Sequence, residues 1–207
     1  MTLKDRMSYT EFEFNKNVNQ IKNIVEALLL SSGEPLSADR IHKIINSKES
    51  CTKADILEAI DSLKMDYENK EIEISRVASG YRIQAKATIN DFLNIIYAEK
   101  TPRYSRALME TLSIIAYKQP VTRGDIESIR GVSVSSSIMR TLTDRNWIKI
   151  VGYRDVPGKP AMFSTTNEFL DYFGLEKLSE LPDLPEIKEP QNLSLDLEPD
   201  IANDINQ

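Results

Sequence analysis

Apolar residues at Ile21, Ile24, Val25, Leu28 and Leu29 follow the i, i+3, i+4, i+7, i+8 spacing of a half-buried helix, predicted from Val18 to Leu30. Ser31, Ser32 and Gly33 break it. Pro35 and Ser37 open a second helix, with the serine as N-cap and Ile41, Ile44 and Ile45 as its buried stripe, ending near Asn46. Thr52 is the next cap, and Asp55 three residues on completes a capping box. Ile56, Leu57, Ile60, Leu63 and Tyr67 then supply a third stripe. Here the period changes. Ile72 and Ile74 alternate with Glu71 and Glu73, Ser79-Gly80 supplies a turn, and Tyr81, Ile83 and Ala85 alternate again, which reads as a hairpin.

Three helices followed by a hairpin is the element order of a winged helix, and the order recurs. Residues 88–98 read as a short helix, and the polar stretch Glu99 to Arg103 with Pro102 reads as a linker. Ala107, Leu108, Leu112, Ile115 and Ala116 form the next helix, which Lys118-Gln119-Pro120 ends. Thr122 caps a helix carrying Ile126 and Ile129 and stopped by Gly131. A third runs from about Val134 with Ile138, Met139 and Leu142 inward; Trp147 follows, and Ile148, Ile150 and Tyr153 alternate into a strand. Asp155 to Gly158 form a wing tip, and Ala161 to Thr165 return. At an offset of 85, Ile24, Leu29, Leu30, Pro35, Ser37, Ile41 and Ile44 fall on Met109, Ile114, Ile115, Pro120, Thr122, Ile126 and Ile129. At the strands the offset is about 76, so that Ile72 falls on Ile148 and Ile74 on Ile150.

The expected fold is therefore α+β, mainly α: two tandem winged-helix domains, each of three helices and a hairpin wing. Residues 1–17 are an N-terminal arm, 18–99 the first domain, 100–104 the linker, 105–181 the second domain and 182–207 a disordered acidic tail. Residues 167–175 add a short helix in which Phe169, Leu170 and Phe173 pack back and Gly174 is the stop. The tail mixes prolines, acids and isolated leucines, too little apolar surface to offset the entropy of ordering, though Leu193, Leu195 and Leu197 have the spacing of a linear motif.

Charge sharpens the division. The net charge is -6, yet residues 105–166 hold nine Lys/Arg against five Asp/Glu, and 167–207 hold two against eleven. Residues 18–98 are near neutral at ten against twelve. Only the second half is mildly basic, which argues against a protein that coats nucleic acid. No run reaches the ~18 apolar residues of a membrane helix, and the opening residues place acids where a signal peptide needs an apolar core. A cytoplasmic, reducing location is expected, with Cys51 alone and unable to form an internal disulfide.

No catalytic or metal-binding constellation emerges, and no cofactor is expected. His42 is the only histidine, without a second histidine or nearby cysteine for a zinc site, and is read as a surface residue. Cys51 has no base on its own element and is read as structural. No GxxxxGK[ST] and no GxGxxG after a strand offers a phosphate cradle. Protein binding leads, through Tyr117, Pro120, Trp147, Tyr153, Val156-Pro157 and Phe163, with Trp147 read as core first and Lys118 and Arg140 available to acids on a partner. The competing reading is a winged-helix DNA-binding transcription regulator, whose third helix enters the major groove. Ser133, Ser135, Ser136, Ser137, Arg140 and Arg145, with Arg154 and Lys159 in the wing, are its candidate weak DNA contacts. Specific readout favours Arg, Asn or Gln near that helix start, where serines stand. Domain one carries broad apolar faces at Val25, Leu28, Leu29 and Leu30, a candidate dimerisation surface.

The segment from Ala107 to Leu175 resembles the second winged-helix domain of the segregation and condensation protein B (ScpB) family. The resemblance rests on IIAYKQP (Ile114 to Pro120), TRGDIESIRG (Thr122 to Gly131), GYRDVPGKP (Gly152 to Pro160, where KP is Lys159-Pro160) and FLDYFGL (Phe169 to Leu175). IVEALLLSSGEPLS (Ile24 to Ser37) fits the same family more loosely, and the resemblance covers about residues 20–181. It implies a non-enzymatic, nucleoid-associated homodimer that binds the kleisin ScpA, and through it the SMC ATPase, in chromosome condensation and partition. It further implies that domain one contributes to the dimer and domain two grips an extended stretch of ScpA.

Overall fold

The computed structural model describes residues 19–97 and 104–184. The expected arm over 1–17, residues 100–103 of the expected linker and 185–207 of the expected tail lie outside them. The architecture is mixed α/β, mainly helical, with two small antiparallel sheets.

Helix α1 covers residues 19–31. Its stripe buries Ile21, Val25 and Leu29, with Ile24 and Leu28 partly covered. Ser37 accepts from the Arg40 backbone N–H and starts α2 (Ala38–Ile45), which buries Ile41 and Ile45. Ile44, expected inside, is exposed, because its position on a helix of only eight residues turns it off the Ile41–Ile45 line. Thr52 and Asp55 form the expected capping box of α3 (Lys53–Asp66), burying Ile56, Ala59, Ile60 and Leu63. Leu57, expected in this stripe, is exposed at its edge. Strands β1 (Ile72–Val77) and β2 (Gly80–Ala85) pair from Ile72↔Ala85 to Val77↔Gly80. Leu36 adds a bridge to Tyr81, with backbone hydrogen bonds of 2.9 and 2.8 Å. After a 3-10 turn, α4 (Asn90–Tyr97) buries none of its residues.

The second set of elements begins with α5 (Arg106–Lys118), capped by Ser105. A two-residue strand, β3 (Val121–Thr122), leads into α6 (Arg123–Arg130), with the Thr122–Asp125 capping box at its start and left-handed Gly131 at its end. Helix α7 (Ser136–Asp144) starts two residues later than expected, capped by Ser135, because Val134 is drawn wholly into the core. Strands β4 (Ile148–Tyr153) and β5 (Ala161–Thr165) complete a sheet of order β3-β5-β4. Helix α8 (Asn167–Phe173) buries Phe169 and Leu170; Phe173 is exposed on one side and stacked against Trp147 and Phe169 on the other.

Two hydrophobic clusters result. One gathers α1, α2, α3 and the β1–β2 hairpin, the other α5 to α8 with β4 and Val121. Each fully buried Ile or Leu, such as Ile41 and Ile126, contributes roughly 1.5–3 kcal/mol by leaving water. Burial corrects the repeat register. Leu30 is 60% exposed while Ile115, its counterpart at offset 85, is fully buried. The buried triplet Ile21, Val25 and Leu29 matches Leu108, Leu112 and Ala116, an offset of 87, so the connection before the second copy's proline is two residues shorter. Ile150 likewise is exposed where Ile74 is buried; the buried residue of β4 is Ile148.

The two clusters meet at the β1–β2 turn. The Ala78 backbone N–H donates to Leu175 O (3.0 Å), Ser79 N–H donates to Asp171 Oδ1 (2.9 Å), and Arg82 Nη1 donates to Asp171 O (2.8 Å). Arg76 and Glu176 add an ion pair at 3.0 Å.

Candidate functional site

Among the described residues no group of three or more His, Cys, Asp or Glu is placed to hold a metal ion. His42 is half-buried, its Nε2 3.0 Å from Cys51 O. Burial, then Asp55 and Glu49, push the Cys51 thiol up, away from the thiolate a nucleophile needs. Tyr67 is pushed up to about 12 by burial and by the hydrogen bond its hydroxyl donates to Glu26. These groups serve the packing of the first cluster. What the molecule offers is surface.

The wing of the second half is the first such surface. Tyr153, Val156 and Pro157 are all exposed there, as the sequence suggests for partner contact. Tyr117 stands elsewhere. Its hydroxyl donates to Pro182 O at 2.6 Å, and its ring lines an apolar groove of about 360 Å³ with Met109, Leu112, Phe169 and Leu181. Lys118 is exposed at the end of α5 and Pro120 just before β3, and Arg140 is exposed on α7, 3.5 Å from Asp144. The seven partner-binding candidates therefore divide between at least two surfaces. Trp147 is 2% exposed and so withdrawn from a partner, while Phe163 is partly buried against the core.

The candidate DNA contacts are largely committed inside the chain. Arg154 does not reach outward: its Nη1 and Nη2 donate to Asp125 Oδ1 (2.9 Å) and Oδ2 (2.6 Å), a bidentate pair joining the wing to the first turn of α6. The Arg145 guanidinium lies over the rings of Tyr104 and Trp147, 4.8 and 5.4 Å from their centroids. Ser135 is spent capping α7 and touching Ser137, and Ser136 receives from Arg123. Lys159 stays exposed at the wing tip with φ +37°.

Asp125 is the residue whose role the sequence hid, because only its capping function is legible from spacing. Arg154 first, then the Thr122 backbone N–H, hold its carboxyl at about 2. An unfolded aspartate titrates near ~3.9. The stabilisation is thus complete above about pH 4 and lost as pH falls through about 2. With the carboxylate about a third exposed, solvent screens the pair, and Asp125→Asn is expected to destabilise by about 1 kcal/mol at pH 7. Urea unfolding at pH 7, 4 and 2.5 should show the wild-type advantage shrinking toward pH 2.5; an advantage that grows on acidification would contradict the pairing.

The dimerisation candidates are split by the fold. Val25 and Leu29 point into the first cluster, where their apolar area is already used, so they are withdrawn from any dimer face. Leu28 is partly covered and Leu30 exposed. The surface missed is α4. Phe92, Ile95 and Ile96 lie at i, i+3, i+4, and all are exposed, Ile95 by 79%. Its sequence, NDFLNIIY, carries an apolar stripe that reads equally well as a core face, but among the described residues none of α4 is buried.

A family model for the segregation and condensation complex subunit ScpB matches residues 23–184. A segregation and condensation protein B homolog of Coxiella burnetii is 46% identical over 166 residues, covering 80% of this chain and 79% of that protein. Segregation and condensation protein B of Clostridium tetani is 40% identical over 170 residues, 81% and 87% of the two chains. A crystal structure of a dimer of an ScpB N-terminal domain complexed with an ScpA peptide is 22% identical, covers 41% of this chain and 91% of that one, and has a TM-score of 0.32.

Proposed function

The chain belongs to the ScpB family of segregation and condensation complex subunits, and from that membership we propose that it is a non-catalytic, homodimeric adaptor that binds the kleisin ScpA in an SMC condensin-like complex. Its place is the cytoplasm, at the nucleoid, during chromosome condensation and partition. The observation that carries this reading is the family match over residues 23–184, which spans both hydrophobic clusters.

Each cluster, with three helices and a hairpin, is taken as one winged-helix domain, over 18–99 and 105–181. An adaptor needs surfaces rather than acid–base groups, and the displaced titrating groups here have structural partners. The first domain supplies the dimer, through the α4 stripe of Phe92, Ile95 and Ile96 with Leu28 and Leu30 rather than Val25 and Leu29. The second grips ScpA through the wing residues Tyr153, Val156 and Pro157 and the surfaces around Tyr117, Lys118, Pro120 and Arg140. The internal engagement of Arg154 and Arg145 supports an adaptor over a transcription regulator.

The test is size-exclusion chromatography with light scattering at high salt. The chain should elute as a dimer and carry ScpA with it, whereas duplex DNA retention should be weak and lost as salt rises. Ile95→Asp should give a monomer that still binds ScpA. Tight, sequence-selective DNA retention without ScpA would overturn the reading.

A further inference from the structure

Left-handed Gly174 ends α8, and the residues after it, 175–182, touch both halves of the molecule. At the start of this segment the Leu175 carbonyl accepts from the Ala78 N–H (3.0 Å) and Glu176 pairs with Arg76 (3.0 Å), both in the β1–β2 hairpin. At its end Leu181 packs against the second cluster, and Pro182 O accepts from the Tyr117 hydroxyl of α5 at 2.6 Å. Local bonds join the two ends. The Glu176 N–H donates to Glu180 Oε2 (2.8 Å), and a 3-10 turn at Leu178–Glu180 lets the Glu180 and Leu181 N–H groups donate to Lys177 O and Leu178 O, each at 3.1 Å.

Neither end is deeply held. Leu181 is half-buried and Pro182 exposed, beside the apolar groove of about 360 Å³ that Met109, Leu112 and Phe169 line. The joint between the halves is equally thin. Of the first half's apolar side chains, Ala78 packs against the second cluster, with a single methyl. The other ties are polar, and the Arg76 and Glu176 side chains are 58% and 39% exposed. Ser79 and Arg82 are tied to Asp171 in α8, whereas Ala78 and Arg76 are tied to the segment itself. Regions with few buried apolar contacts and exposed hydrogen bonds open at low free energy.

We infer that residues 175–182 are a strap that couples the groove beside Tyr117 to the joint between the two halves. Docked on α5, the strap holds Leu175 and Glu176 against the hairpin; lifted from α5, it frees Glu180, then Glu176, and lets go of Arg76 and Ala78. Such coupling is reciprocal, so whatever seats the strap also tightens the joint. A partner that takes the Tyr117 hydroxyl from Pro182 thereby loosens the joint without touching it. That last consequence rests on the partner-binding role proposed for Tyr117, and the coupling itself does not.

Hydrogen exchange followed by NMR tests the coupling on the full chain with no partner present, so the result is independent of whether ScpA binds. Leu181→Asp removes the apolar anchor, and Tyr117→Phe removes the hydroxyl while keeping the ring. In both variants the Ala78 amide should exchange about two- to tenfold faster, the scale of one typical hydrogen bond lost. The Ser79 amide, whose acceptor lies on α8, should change less, and those of Ile60 in α3 and Ile115 in α5 should stay unchanged as references. Ala78 exchange equal to wild type in both variants would overturn the inference. If Leu181→Asp also quickens Ile115, that substitution has weakened the whole second cluster and Tyr117→Phe decides: a rise at Ala78 with Ile115 unchanged supports the strap, and no rise overturns it.

Discussion

Trp147→Ala is expected to cost about 3–5 kcal/mol of stability, the range for truncating a large buried aromatic. Trp147 is 2% exposed and sits where α7, β4 and α8 converge. Its ring lies 5.2, 4.6 and 5.5 Å from the centroids of Tyr104, Tyr172 and Phe173, in the tilted and edge-on arrangements aromatic quadrupoles favour. Its backbone N–H donates to Leu142 O (3.0 Å) and its carbonyl accepts from Thr166 N–H (3.2 Å). Alanine keeps those backbone bonds and removes the ring, leaving a cavity that three other rings from two segments cannot close together. Against a total stability of roughly 5–15 kcal/mol, such a loss leaves the second cluster marginal. As the only tryptophan, Trp147 also reports on its own cluster. Wild-type unfolding followed by its fluorescence gives the second half, and far-ultraviolet circular dichroism gives both. In the variant, dichroism should show an early transition for the second half; a loss under about 1 kcal/mol would refute this account of the cluster.

How far such features were legible in the sequence depends on whether they were local. Ser37, Thr52 and Thr122 act through residues three positions on, and all were readable as caps. The stripe of α1 was readable too, but Leu30 was misplaced by aligning the copies through their prolines, because sequence offset cannot see a connection that shortens by two residues. Val25 and Leu29 were assigned to a dimer face although they are core residues, while the exposed stripe of α4 was passed over: periodicity shows that a helix has an apolar face but not whether another element covers it. Arg154 looked like a wing cation for DNA, and its pairing with Asp125, 29 residues away, is a matter of tertiary geometry. Gln119 was hidden for the same reason. It was read as part of a helix end, yet its Oε1 accepts from Thr165 N–H (2.7 Å) and the Thr165 hydroxyl (3.0 Å), pinning the end of α5 to β5.

Gly80→Ala is expected to cost about 3 kcal/mol or more and to disturb the joint between the two halves. Gly80 has φ +143°, a backbone conformation L side chains rarely adopt, and holding a non-glycine residue there costs of order 1–3 kcal/mol. Space adds a second penalty. A Cβ at Gly80 would stand 2.3 Å from Leu36 C and O and 2.5 Å from Ser37 N, all backbone atoms that cannot rotate away. Relief requires moving Leu36 off Tyr81, breaking the paired hydrogen bonds of 2.9 and 2.8 Å that tie the start of α2 to the hairpin. The displaced turn also carries Ala78 and Ser79, whose N–H groups hold Leu175 and Asp171. Ser79→Ala is the matched control: Ser79 reaches Asp171 through its backbone N–H, so that variant should stay within about 0.5 kcal/mol of wild type. Urea unfolding should therefore separate the two substitutions by at least about 2 kcal/mol, and hydrogen exchange at Ala78 and Ser79 should rise in Gly80→Ala alone. If both variants matched wild type, the close approach of the turn to Leu36 could not be what fixes the hairpin, and the joint to α8 would need another anchor.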